Sequence, residues 1–247
     1  MSYQTLRRNS AILAHGTLGR PSYGKYHPGG GRGTDLVGRG PITTSAQAAR
    51  ALAARAKQAE RQLTPVVTGA VAKAGGTMDK LQYRLKAENP DKPGEGIKRL
   101  EEKIDLTMRK DGVSAAEAAD SIADAVRYTA VFPDERYPQG ITSTLDALRA
   151  EGASVYDKKD KNFWKKGDPY QGFNVTAVAS NGQKFEVQFH TPRSLAVANT
   201  NHPLYQLARK PTTTAPVRQH LTMLMTASSA TVPVPPGIEN IGTPTSA

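Results

Sequence analysis

The sequence predicts an α/β domain: a mixed sheet of about five strands with helices on its faces and a helical N-terminal region before it. Three observations predict it. Residues 172–180 and 184–190 read as two strands on either side of Asn181-Gly182, a strong hairpin signal, and the second alternates apolar and polar from Phe185 to Phe189. Residues 125–132 are β-branched and aromatic, and Pro133 stops them. Before these strands, Ile97, Leu100, Ile104 and Met108 recur three and four apart, the spacing of one helix face.

In chain order, residues 1–43 hold Gly, Pro, Ser and Arg with no apolar period, and Gly29-Gly30-Gly31-Arg32-Gly33 suits neither helix nor strand core. This stretch reads as a flexible basic arm, either a solvated leader or a contact for a polyanion. Residues 44–74 are Ala-rich; Ser45 is the expected N-cap, Pro65 divides the region into two helices, and Gly75-Gly76 ends the second. A short helix is expected over residues 79–85 and a loop over 89–96. Ile97, Leu100, Ile104 and Met108 predict a helix over residues 97–109, broken by Asp111-Gly112. Ser114 and Glu117 form a capping box, opening a helix to about residue 123. After the strand at 125–132, residues 141–152 are helical with Leu145 and Leu148 inward. The hairpin follows, then a helix over 194–209 on either side of Pro203 and a last helix at 220–226. The domain spans residues 44–226, and residues 227–247 are a Pro-rich tail lying along the surface.

Composition narrows the function. Lys and Arg number 33 against 22 Asp and Glu, a formal charge of +11, which raises the local concentration of nucleotides, nucleic acid or acidic membrane surface. There is no cysteine, which excludes disulfides, thiolate metal sites and a Cys nucleophile. No apolar run approaches the roughly 18 residues that span a bilayer. Arg7 and Arg8 precede an apolar run at residues 11–14 that is too short for a signal-peptide core. Export would use another route or a signal already removed.

Four segments carry chemistry. In residues 185–191, Phe185, Val187 and Phe189 face the core while Glu186, Gln188 and His190 share the other face, as a site or as a solvated face. A carboxylate there can hold a metal and take a proton from a hydroxyl. Residues 158–174 set five lysines around Trp164, giving cations for phosphates and a flat π-face for a base, or else a solvated loop. Arg84 and Lys86 stand just before a glycine-rich loop, and Arg both stacks on a base and forks onto phosphate. Asp124 stands where a helix gives way to a buried strand, and burying a carboxylate is costly unless it is paired or metal-bound; Asp120, one helical turn earlier, is its rival.

Arg84-Leu85-Lys86, Asp124-Ala125-Val126-Arg127, Tyr170-Gln171-Gly172-Phe173-Asn174, Glu186-Val187-Gln188-Phe189-His190-Thr191 and His202 occur in this order. Together they resemble the synthetase domain of the Rel/Spo alarmone enzymes over roughly residues 75–212. The likeness is to the small single-function branch, which includes secreted ATP nucleotide 3′-pyrophosphokinases and toxic synthetases. It implies a nucleotidyltransferase-like fold. It also implies transfer of the β,γ-pyrophosphate of ATP to the 3′-hydroxyl of a purine nucleotide, with AMP released and magnesium as cofactor. By the same resemblance, Glu186 binds magnesium and activates the hydroxyl, and Asp124 is the other metal ligand. Gln188 positions the site. Arg84, Lys86 and Arg127 hold ATP. Tyr170 stacks on the acceptor base, with Asn174 and His190 on the acceptor side, and Lys161, Lys165 and Lys166 neutralise phosphate. Arg209 and His202 are read as structural.

The chain departs from the family pattern in three places. Asn174 replaces the family's histidine four residues after the tyrosine, and His190 replaces the arginine of its E-I-Q-I-R-T strand. The interval from Asp124 to Arg127 is shorter than the family's. Register is open as well: a two-residue turn at Asn181-Gly182 puts Asn174 and Glu186 on opposite faces, a three-residue turn puts them together. No His-Asp pair occurs, so the hydrolase domain of long family members is not expected. A synthetase without it fits an exported enzyme, or a toxin delivered to a target-cell cytoplasm and countered by an immunity or antitoxin protein. Two alternatives remain: pyrophosphorylation of the tRNA 3′ end, and a non-catalytic basic nucleic-acid-binding module. A membrane partner is not expected.

Overall fold

The computed structural model describes residues 42–79, 94–155, 161–164 and 167–241. The basic arm through residue 41, the expected helix at 79–85 apart from Asp79, and Arg84, Lys86, Lys165 and Lys166 lie outside the described residues.

Helix α1 runs Ser45–Lys73 as one 29-residue helix. Its N-cap is Thr44 rather than Ser45; Thr44 and Gln47 satisfy each other's amides in a capping box. Pro65 does not divide it. Pro65 is exposed, so the hydrogen bond it removes faces water. The opposite face buries Ala48, Leu52, Ala56, Leu63, Val67 and Val71 on both sides of the proline, and that continuous burial outweighs the local cost.

Helix α2 (Glu95–Asp111) lies between left-handed Gly94 and Gly112 and starts two residues earlier than its apolar period. Helix α3 (Ala115–Asp120) opens on the predicted Ser114–Glu117 box and ends at Asp120, short of residue 123. Helix α4 (Tyr137–Ala150) begins before the expected 141, with Pro138 in its first turn, where a missing N–H costs nothing.

Among the described residues the sheet has six strands, in keeping with the expected mixed sheet of about five: β1 (Thr77–Met78), β2 (Arg127–Val131), β3 (Ser154–Val155), β4 (Lys161–Asn162), β5 (Phe173–Val178) and β6 (Lys184–His190). Their order is β1-β2-β6-β5-β3, with β4 also on β5. Among the described strands, only β2 and β6 pair in parallel. The two-residue strands β1, β3 and β4 were not legible because they are too short to show a period.

One sheet face is apolar. Tyr128, Ala130, Phe173, Val175, Phe185, Val187 and Phe189 are buried in a single core with α1 and α4. The Tyr128 hydroxyl reaches Thr64 of α1 at 3.1 Å, and the Phe132 ring lies close against Gly76 and Gly140. Trp164 belongs to this core: its indole N–H donates to the Tyr137 hydroxyl at 3.1 Å, and that hydroxyl donates to the Phe189 carbonyl at 2.6 Å.

Two more helices follow, α5 (Pro192–Ala208), unbroken at its exposed Pro203, and α6 (Ala215–Ser229), twice the expected length. Buried Asn201 ties them together through the Met225 carbonyl at 3.2 Å. Residues beyond α6 reach the main core through Val232 and Ile238, and Asn162 donates to the Ile238 carbonyl at 2.9 Å. Among the described residues no helix is long and apolar enough to cross a membrane.

Candidate active site

The sheet's second face is polar, and the hairpin turn decides which residues share it. Val178 pairs with Lys184, and Ala179 bonds to Gln183 across Ser180, Asn181 and Gly182. Only Gly182 has positive φ, at 83°, so the loop has three residues and is not the type I′ turn that Asn-Gly suggests. Asn174 therefore stands opposite Gln188, and Thr176 opposite Glu186. On the parallel side Arg127 is level with Glu186 and Thr129 with Gln188. Lys161 pairs with Asn174. Arg127, Glu186, Gln188, Asn174 and Lys161 thus lie on one face across four strands.

Glu186 is half-buried near the N-terminal end of β6. Its Oε1 accepts a hydrogen bond from Gln188 Nε2 at 2.8 Å, which fixes the carboxylate's orientation. Asp124 lies in the turn leading into β2, the neighbouring parallel strand, and its side chain is 17% exposed. Lys103 of α2 reaches Asp124 Oδ1 at 2.6 Å. Asp120 is elsewhere: on α3, 64% exposed, in an ion pair with Arg55 at 2.9 Å. The two rival acids are therefore unequal, since Asp124 shares the strand entrance with Arg127 and Asp120 faces solvent. Lys103 was invisible in the sequence, because its contact with Asp124 depends on how α2 packs.

Tyr170 precedes β5 and folds back over it. Gly172 makes this possible, since a Cβ there would sit 2.8 Å from the Tyr170 hydroxyl. That hydroxyl lies 3.1 Å from Asn174 Oδ1 and 2.8 Å from His190 Nε2. The ring meets Phe163 and His190 edge-on, at centroid distances of 5.2 and 5.3 Å. Burial, with the Glu186 charge adding to it, pushes the Tyr170 pKa well above the usual phenol value. Burial, and after it the Arg127 charge, pulls His190 down to about 4.

Other expected residues fall elsewhere. Trp164 spends its N–H inside the core and offers no base platform. Among the described lysines of that segment, Lys161 is exposed beside Asn174. His202 is exposed and contacts Gln206, and Arg209 lies over the Tyr205 ring at 5.4 Å. Sequence reading missed Ser194, which lies 2.9 Å from His190 Nδ1. It also missed Ser229, which donates to the Pro169 carbonyl at 2.9 Å, one residue before Tyr170.

No protein-family model and no curated protein sequence matches the chain. Solved structures with a similar chain course include the Type VI effector Tas1 in complex with its immunity protein. That likeness is at 18% identity and TM-score 0.47, over 77% of this chain and 97% of that one. A second is the small alarmone synthetase 1 from Bacillus subtilis bound to its product pppGpp, at 15% identity and TM-score 0.44, over 71% and 87%. A third is a GTP pyrophosphokinase family protein from Streptococcus pneumoniae, at 14% identity and TM-score 0.42, over 72% and 84%.

Proposed function

We propose that this chain is a Rel/Spo-type nucleotide 3′-pyrophosphokinase, transferring the β,γ-pyrophosphate of ATP to the 3′-hydroxyl of a purine nucleotide. The observation that carries the reading is the polar sheet face: an oriented Glu186 level with Arg127, two residues from Gln188, with Asn174 and the Tyr170 ring alongside.

The reaction needs a base, cations around the phosphates and a platform for the acceptor. The acceptor's 3′-oxygen attacks the β-phosphorus of ATP. The bond from that phosphorus to the α–β bridging oxygen breaks, and AMP leaves with the bridging oxygen. Glu186 takes the hydroxyl proton, and Gln188 holds the carboxylate in place for it. Arg127, with Arg84 and Lys86 from the sequence motif, balances the ATP phosphates. Lys161, with Lys165 and Lys166, does so on the acceptor side. Tyr170 supplies a flat face for the acceptor base, bordered by Asn174.

Magnesium fits the donor set. It takes hard oxygen ligands, usually one or two carboxylates completed by substrate phosphates. Among the described residues no group of three or more His, Asp or Glu forms a ready-made cage, while Glu186 and Asp124 offer two carboxylates. These two residues would hold the ion, which neutralises developing charge on the phosphates when bound.

We extend the reading to a delivered toxin that consumes ATP in a target cell and is countered by an immunity protein. The test of the core reading is incubation of the purified chain with ATP, magnesium and each of AMP, ADP, GDP, GTP and bulk tRNA, followed by product analysis. A 3′-pyrophosphorylated nucleotide with AMP released is the expected outcome. Product on tRNA alone would replace the acceptor, and no product from folded protein would overturn the reading.

A further inference from the structure

His190 stands where the motif calls for an acceptor contact, yet both its ring nitrogens are engaged within the protein and it is only 2% exposed. The hydrogens assign its role. The Tyr170 hydroxyl has one hydrogen, and it goes to Asn174 Oδ1. His190 Nε2 must then be the donor to the Tyr170 oxygen. The ring is neutral, so Nδ1 carries no hydrogen and accepts from the Ser194 hydroxyl at 2.9 Å, a shorter contact than the Thr191 carbonyl at 3.2 Å that competes for the same hydrogen.

Ser194 is itself fixed. It is the third residue of α5, and its backbone N–H and hydroxyl oxygen both engage Thr191 in the capping box that starts the helix. A directed chain of hydrogen bonds therefore runs Ser194 to His190 to Tyr170 to Asn174, anchored on a helix start. A second anchor holds the loop's backbone, where Ser229 of α6 donates to the Pro169 carbonyl. Ser229 in turn lies 3.4 Å from Asn201 Nδ2, which also holds the Met225 carbonyl. The helices after the sheet thus grip Tyr170 at its hydroxyl and at its backbone.

We propose that His190, backed by Ser194, is a positioning residue: it presets the Tyr170 ring for the acceptor base and does not touch the nucleotide. This rests on the reading of Tyr170 as the acceptor platform. A ring held before the ligand arrives loses less freedom on binding, so the effect falls on acceptor affinity.

The test is a double-mutant cycle on acceptor binding, measured by calorimetry with AMP, ADP, GDP and GTP in the absence of ATP, below the onset of unfolding. His190→Leu weakens the best acceptor about tenfold. His190→Gln, whose amide can still donate to the Tyr170 oxygen, stays within about threefold. In a Tyr170→Phe background the His190→Leu effect shrinks below about twofold, because the hydroxyl through which it acts is gone. Ser194→Ala serves in the same cycle should His190→Leu fail to fold. An undiminished His190→Leu effect in the Tyr170→Phe background, or no effect at all, overturns the proposal, as does failure of the unmutated chain to bind any of the four nucleotides. Acceptor binding that follows the cycle, without turnover, would uphold the positioning role and reject the pyrophosphokinase.

Discussion

Lys103 Nζ lies 2.6 Å from Asp124 Oδ1, an ion pair between α2 and the turn that feeds β2. It holds in place the carboxylate proposed as the second magnesium ligand, while the rival Asp120 pairs with Arg55 at the surface. Asp124→Asn is expected to raise the magnesium needed for half-maximal activity about tenfold or more. Asp120→Asn is expected to leave it within about twofold. Magnesium titrations of both variants check this, and the reverse order would move the metal to Asp120.

His190 gives the fold an acid sensitivity. Its folded pKa of about 4 lies below the roughly 6.5 of an unfolded histidine. Between those values the unfolded chain binds the extra proton and the folded chain does not, so stability rises with pH through this window. The contribution is fully present above about pH 6.5 and lost by about pH 4, on the order of 3 kcal/mol. Denaturant unfolding at pH 7 and pH 4.5 should show a smaller acid loss in His190→Gln than in the unmutated chain. Equal losses in both would contradict this account.

Gly140 and Gly76 both lie close against the Cδ1–Cε1 edge of the Phe132 ring. An added Cβ at Gly140 or at Gly76 would overlap the ring. The ring is fully buried. Gly140→Ala lies in a helix, where alanine alone would gain about 1 kcal/mol, yet overpacking costs typically 1–3 kcal/mol. A net loss of stability is expected from both alanine variants, read as a lowered midpoint in chemical denaturation.

Pro65 interrupts α1 on its exposed side. Pro65→Ala restores a donor to the Arg61 carbonyl and relieves the ring's clash with it, against a small gain in unfolded-chain entropy. A stabilisation of roughly 1–2 kcal/mol is expected, seen as a higher Tm.

Much of this molecule was legible because its signals are local. Alternation in residues 184–190 gave β6 its bounds and faces, and Ser114–Glu117 announced the start of α3. The signals that misled were local too. Pro65 and Pro203 each carry a true local penalty, but tertiary packing carries α1 and α5 through them. Asn181-Gly182 marked a hairpin without fixing its length, and that one residue decides whether Asn174 joins Glu186. The Ser194–His190–Tyr170 chain and the Lys103–Asp124 pair depend on elements brought together by folding, which no spacing in the sequence encodes. Trp164 looked available among lysines because sequence does not show that its N–H is used by Tyr137.

The central claim is that Glu186 supports transfer of an intact pyrophosphate. The measurement is to supply ATP labelled at the α- or the γ-phosphate, with magnesium and the preferred acceptor, to the unmutated chain and to Glu186→Gln. The account predicts γ-label but no α-label in the product, label-bearing AMP from the α-labelled substrate, and a loss of roughly a thousandfold or more in Glu186→Gln, in keeping with removal of a catalytic base together with a metal ligand. Transfer of α-label, release of ADP in place of AMP, or full activity in Glu186→Gln would contradict it.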